Sequence, residues 1–194
     1  MGRIKSALEI ALERTESVKS DKTGIEQFET RQQGKRLANE FLAGSASLED
    51  RIKKCPKDQQ AALKQGIFDV LNAQITLPSV REDIKRLETI GKGLQTIIGD
   101  LRFASLYKQF TQAMVQYLDD AAKYEEAIKR QYAPKLRQKE EDLARRIGRQ
   151  VRLDPFQDPE FVAFYNQNMA ALKSNYQSMA DQIREQTALR FEKA

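Results

Sequence analysis

The residues best placed to do chemistry lie between Lys129 and Arg152. Nine bases (Lys129, Arg130, Lys135, Arg137, Lys139, Arg145, Arg146, Arg149, Arg152) stand there against three acids (Glu140, Glu141, Asp142). Nine minus three is +6, where the whole chain carries +5. After Pro134, helical spacing puts Lys135, Lys139, Arg145, Arg146, Arg149 and Arg152 on one side and Leu136, Leu143, Ile147 and Val151 on the other. A basic amphipathic helix of this kind can neutralise phosphate or an acidic protein surface, so those six bases form a candidate anion-binding face. An ordinary solvated helix face has the same composition. No aromatic residue stands among the bases between Pro134 and Val151, so a stacking platform for single strands is not indicated.

The remaining inventory removes many functions. The 194 residues contain no His and no Trp, and Cys55 is the single cysteine. An intrachain disulfide is impossible, and the imidazole that common serine, cysteine and zinc hydrolases require is missing. Cys55 sits beside Lys53, Lys54 and Lys57, a setting that can lower a thiol pKa, but no histidine is present to activate it. The acids at Asp119–Asp120, Glu125–Glu126 and Glu140–Asp142 could meet a hard cation, yet without Glu-x-x-His partners they read as solvent-facing. Gly91–Gly99, GKGLQTIIG, lacks the order of a phosphate loop and follows no strand, so it reads as a flexible or bent helix. No catalytic residue, metal ligand or cofactor is expected, and the chain is read as a non-enzyme.

The opening MGRIKS satisfies the M-G-x-x-x-[ST] pattern of N-myristoylation, with Arg3 and Lys5 as a second membrane signal. The residues that follow mix acids with bases, and an apolar face starts at Ile4 and continues through Ala7, Leu8, Ala11 and Val18. MGRIKS is therefore read as a helix start, with Gly2 and Ser6 incidental. No signal peptide, transmembrane segment or membrane-surface attachment is expected, and the lone cysteine suits a reducing cytoplasm.

Periodicity is helical nearly throughout, which predicts an all-α protein: a helical bundle with a long antiparallel coiled-coil-like hairpin in its C-terminal half. Residues 1–99 read as a region of shorter helices. A first helix over 2–20 is followed by a break at Asp21–Gly24. A second, with Ile25, Phe28, Leu37, Phe41 and Leu42 inward, runs to Gly44. Ser47 with Asp50, and Ser79 with Glu82, read as capping boxes. Residues 100–194 read as the hairpin, with its turn near 152–158, and Asp158-Pro159 starts its last helix. One seam runs through Phe103, Tyr107, Phe110, Met114, Tyr117, Ala121, Tyr124 and Ile128 at 4-3 spacing. The other runs through Tyr165, Met169, Leu172, Tyr176, Met179 and Ile183. Pro134 is expected to kink or interrupt the first long helix.

The stretch GRIKSALEIALERTESVKSDK, with RQQGKRLANEFL after it, resembles a small family of uncharacterised helical proteins from bacteria, over about the first 42 residues. The resemblance implies a bacterial, cytoplasmic setting, in which eukaryotic-style myristoylation is irrelevant. It supplies no functional residue, because that family has no assigned activity. The residues themselves point to a scaffold or adaptor that acts by helix-face docking and self-associates as a homodimer. Tyr107, Phe110, Tyr117, Tyr165, Tyr176 and Met179 are its candidate anchors. The competing arrangement is that these side chains fill the protein's own core. The alternative function is nucleic-acid binding through the basic face.

Overall fold

A computed structural model describes the backbone of residues 7–194 and the side chains from residue 24 onward. The apolar face at Ile4, Ala7, Leu8, Ala11 and Val18, with Gly2 and Ser6, therefore lies outside the described side chains. The described residues form six α-helices: α1 (Ala7–Leu42), α2 (Leu48–Lys54), α3 (Gln60–Ala73), α4 (Arg81–Ile98), α5 (Leu101–Ile147) and α6 (Pro159–Phe191). A single 3₁₀ turn covers Pro155–Gln157, and the described residues contain no strand. The fold is all-α, as the periodicity predicts. Two compact units emerge: residues 1–74, 89–101 and 190–194 in the first, and residues 75–88 and 102–189 in the second.

The first unit is organised by a close crossing of α1 and α3. Gly34 and Gly66 meet there with no side chain between the helices. A Cβ on Gly34 would lie 2.2 Å from the Leu63 carbonyl oxygen, and one on Gly66 would lie 2.0 Å from the Arg31 carbonyl oxygen. Around this contact Leu37, Ala38, Leu63, Ile67, Phe68 and Leu71 are buried. Arg31 bridges the same pair of helices to Asp69 at 2.7 Å. In α4, Gly93 admits Leu71 and Phe41 to within 2.8 Å of where its Cβ would stand. Gly91 and Gly93 thus lie within α4, where at Gly93 the missing side chain serves packing, while Gly99, at φ 71, follows the helix end. Phe191 closes this unit by stacking on Phe68, with ring centroids 4.3 Å apart and 8° between planes.

Three local expectations need correction. The Asp21–Gly24 break does not exist, because α1 runs through it. A glycine costs an exposed helix about 1 kcal/mol but removes no hydrogen bond, so it weakens without terminating. Pro134 does not interrupt α5, which continues on both sides of it as one 47-residue helix. At the start of α4 the carboxylate that reaches back is Asp83, not Glu82: it accepts from the Ser79 and Val80 N–H groups at 2.7 and 3.1 Å. Those bonds hold the Asp83 carboxyl below the usual carboxylate range. At α2 the predicted cap is present, with Ser47 accepting from Asp50 N–H at 3.4 Å. Gly44, at φ 76, turns the chain out of α1. Its own N–H bonds to Phe41 and that of Ser45 to Glu40, the paired bonds of a Schellman end.

The second unit is built on the antiparallel pairing of α5 and α6. Its core holds Ile75, Leu87, Phe103, Tyr107, Phe110, Met114, Tyr117, Ile128, Tyr132, Phe161, Met169, Ala180, Ile183 and Thr187. The inward positions of α6 follow an eleven-residue period, whereas those of α5 keep the seven-residue spacing from Phe103 to Ala121 and leave it only beyond. Those of α6 are the buried Phe161, Met169, Ala180, Ile183 and Thr187 and the half-buried Tyr165, Leu172 and Tyr176, at steps of 4, 4 and 3. Met179 is 47% exposed, one position off this series. In α5 the inward side continues from Ala121 to Glu125 and Ile128, and Tyr124 is 43% exposed. The strict 4-3 reading fails at both places for one reason. A nearly straight helix has 3.6 residues per turn, so a seven-residue series drifts about 20° per repeat off the contact line.

The glycine crossing generates a clear expectation. Gly34→Ala and Gly66→Ala should each destabilise the first unit by roughly 1–3 kcal/mol or more, because backbone must move to admit the methyl group. Gly24→Ala, with open space around it, should leave the urea midpoint unchanged or raised. Equal behaviour of the three variants in urea unfolding would overturn this account of the contact.

Candidate functional site

The aromatic anchors divide into three groups. Tyr107, Phe110 and Tyr117 are buried within the second unit. Tyr107 packs between Phe103 and Phe110, with centroids 5.5 Å away on each side, and its hydroxyl has no partner among the described residues. Burial pushes that phenol well above its ordinary pKa. Tyr165 and Tyr176 are half-buried and tie α6 to α5. Tyr176 donates to Asp120 at 2.9 Å and Tyr165 to Glu125 at 3.3 Å, while the Tyr117 and Tyr176 rings lie 5.0 Å apart. Met179 alone points outward. The acids paired at Asp119–Asp120 and Glu125–Glu126 thus take structural partners, while Glu141 and Asp142 are exposed. Glu125 also accepts from Lys129, Asp119 from Arg81, and Glu126 from Arg130. No group of three or more potential metal ligands occurs among the described residues.

The basic segment separates into two parts. Lys135 and Lys139 are held inside the hairpin by acids that the helical projection does not bring near them. Lys139 Nζ lies 2.8 Å from Asp158 Oδ2 and 2.7 Å from Glu160 Oε2, and Lys135 Nζ lies 3.0 Å from Glu160. Tyr132, itself buried, donates to Asp158 Oδ2 at 2.9 Å. Asp158 is 7% exposed and performs a second task, accepting the Glu160 N–H at 3.1 Å as the cap of α6. The Lys139 ammonium beside Asp158 and Glu160 holds both carboxyls below the usual carboxylate range. In return, hydrogen bonds to those carboxylates hold Lys139 above its ordinary value. Arg145, Arg146, Arg149 and Arg152 are all exposed, and none forms an ion pair within the chain among the described residues. They stand at the C-terminal end of α5 and in the loop after Gly148, where φ 75 turns the chain.

Asp158, Tyr132 and Glu160 are the residues that helical periodicity misses. Asp158-Pro159 is legible as a helix start, but its burial against Lys139 depends on a contact between residues 19 apart, beyond the reach of local spacing. Cys55 is half-buried at the end of α2, and burial, helped by Asp58, pushes its thiol up. The neighbouring lysines therefore do not make it a thiolate.

The network around Asp158 sets the sign of a pH dependence. Its carboxylates contribute stability above about pH 4, the unfolded range, and lose it as pH falls through their lower folded values. Its lysines contribute below about pH 10.4 and lose stability only as pH rises through their higher folded values. Urea unfolding followed from pH 7 to pH 3 should fall more steeply for the native chain than for Lys139→Met. At pH 7 Lys139→Met should be less stable than Lys135→Met, because only the former strips the buried Asp158 of its cation. Superimposable pH curves would show that the pair contributes nothing.

Among the described residues no helix is long and apolar enough to cross a membrane. No curated protein and no solved structure matches the chain. A family model matches residues 49–188, from the start of α2 nearly to the end of α6, and so does not cover the stretch through Leu42 that carries the N-terminal resemblance. On that match the chain belongs to the family of unknown function DUF6657.

Proposed function

We propose that this protein is a non-enzymatic helical interaction module that self-associates through the N-terminal part of α1. The observation that carries the reading is the exposure of α1 from Gly24 to Glu29, ahead of Thr30, the first buried residue among the described side chains. Ile25 is 58% and Phe28 63% exposed there, one helical turn apart on the same edge. Large apolar side chains next to one another in water favour a covering partner. In sequence, Ile25 stands seven residues after Val18, Val18 seven after Ala11, and Ala11 seven after Ile4. A seven-residue apolar period is the spacing of two helices wound together. The charges between Ala11 and Ile25 alternate in sign (Glu13, Arg14, Glu16, Lys19, Asp21, Lys22), which suits a second copy running antiparallel better than a surface of one sign. The aromatic anchors of α5 and α6 are mostly occupied within their own unit, which moves the expected contact from the hairpin to α1. Absence of catalysis belongs to the same proposal. It is supported by the lack of histidine and by the structural partners taken by Asp120, Glu125, Asp158 and Glu160.

Light scattering after size-exclusion chromatography tests this directly. The native chain should run as a dimer whose fraction rises with concentration, and Ile25→Glu with Phe28→Glu should run as a monomer of unchanged helicity. A native chain that stays monomeric up to high micromolar concentration sinks the proposal.

A second reading has its own observation: the four exposed arginines at and just beyond the end of α5, which form no ion pair among the described residues. Nucleic acid would be bound there, and Lys135 and Lys139, engaged with Asp158 and Glu160, would contribute little. Affinity for a duplex oligonucleotide should fall steeply with salt, and the slope should flatten by about one for each arginine lost that contacts a phosphate. Retention on a polyanion that is unchanged when Arg145, Arg146 and Arg149 become Gln ends this alternative.

A further inference from the structure

Away from the α1 edge and the α5 tip, the first unit contains a groove that neither reading uses. It opens where α1, α2 and α3 meet and holds about 400 Å³, within the usual range for a small-molecule site. Its origin is local. α2 has only 7 residues, the chain leaves α1 at Gly44 and turns again at Pro56, and the tight Gly34–Gly66 crossing fixes α1 against α3. The short helix therefore covers the diverging pair incompletely.

The groove has two chemically distinct parts. Leu37 and Leu63, both buried, and Pro56 give it an apolar floor. Cys55 adds a half-buried thiol to the wall, and burial pushes its pKa up. Around the floor stand Arg36, Arg51 and Lys54 against one acid, Glu40. Three positive charges less one negative leave the lining at +2. Arg51 approaches Glu40 no closer than 3.9 Å, beyond hydrogen-bond distance. Arg36 and Lys54 form no ion pair or hydrogen bond through their side chains among the described residues, and the Gln33 and Gln59 amides also line the groove. Two cations without an ion-pair partner among the described residues, and a third only loosely paired with Glu40, set over an apolar floor, favour a ligand with the opposite charge at one end and hydrocarbon at the other.

We infer that this groove binds a small amphipathic anion: a carboxylate or phosphate held by Arg36, Arg51 and Lys54, with an attached apolar group lying on Leu37, Leu63 and Pro56. The headgroup chemistry is shared by the two anion types, and the experiment separates them. The inference does not depend on self-association or on nucleic-acid binding.

Isothermal titration of the full-length chain with octanoate, octyl phosphate, inorganic phosphate and 1-octanol tests it. At least one of the two amphipathic anions should bind, and the tighter identifies the headgroup. Inorganic phosphate and 1-octanol should each bind about tenfold more weakly or worse, since each lacks one of the two contacts. Arg36→Gln combined with Lys54→Gln should weaken the anion by about tenfold or more, with an unchanged urea midpoint. Lys54→Gln alone provides the same readout if the double variant is poorly folded. Arg145→Gln with Arg146→Gln, far from the groove in sequence, should bind as the native chain does. Binding of 1-octanol as tight as that of the anions overturns the inference. So does undiminished binding by the Arg36 and Lys54 variants, or no binding of either amphipathic anion at millimolar concentration.

Discussion

The geometry of the α-helix over long distances is the constraint that most of this structure obeys. α5 has 47 residues and α6 has 33, and the two must keep one face in contact along their shared length. At 3.6 residues per turn, a seven-residue series leaves the contact line within a few turns unless the helices coil around each other. Shifting to an eleven-residue series keeps the buried face aligned in nearly straight helices. Ala180 then takes the inward position that Met179 would have in a heptad, and Glu125 the one Tyr124 would have. Glu125 is tolerated on that line because Lys129 and Tyr165 supply its partners.

Polar residues fix the ends of this seam, where apolar packing alone leaves helix register loose. Tyr176 to Asp120 and Tyr165 to Glu125 pin the middle of α6 to α5. At the turn, Asp158 caps α6 and at the same time receives Lys139 and Tyr132. One buried carboxylate thus defines where α6 begins and which turn of α5 it faces. Phe156 reinforces the corner, edge-on to Phe161 and Tyr165 and beneath the Lys129 ammonium. In the first unit steric fit has the equivalent role: Gly34 and Gly66 permit an approach that any side chain would block.

Internal use of side chains decides what is left for function. A charge balance of +6 over Lys129–Arg152 looks like one surface in the sequence, but two of its six facing bases neutralise acids of the same hairpin. Four arginines remain at its tip. The six anchors are similarly reduced to Met179, and the other large apolar side chains in water include Ile25 and Phe28 on α1, Leu101 and Ile147 on α5 and Leu189 on α6. The surfaces open to partners are thus those that the chain does not use on itself, and the groove of Arg36, Arg51 and Lys54 is one of them.

Helix content, the main boundaries, the Ser47 and Asp158 caps and the hairpin were legible in the sequence, because each depends on residues within one or two turns of each other. Most of the buried face was legible too, since 4-3 and 4-4-3 spacing agree over their first turns. The two part only further along, and so Tyr124 and Met179 were misplaced. Continuity of α1 through Gly24 and of α5 through Pro134 was decided by the folded state, where helix continued on either side outweighs one unfavourable residue. The groove at α2, the glycine crossing and the capture of Lys139 by Asp158 were decided only by tertiary structure. Each brings together residues 19 or more apart in sequence, and helical periodicity places a side chain on a face without saying what that face will meet.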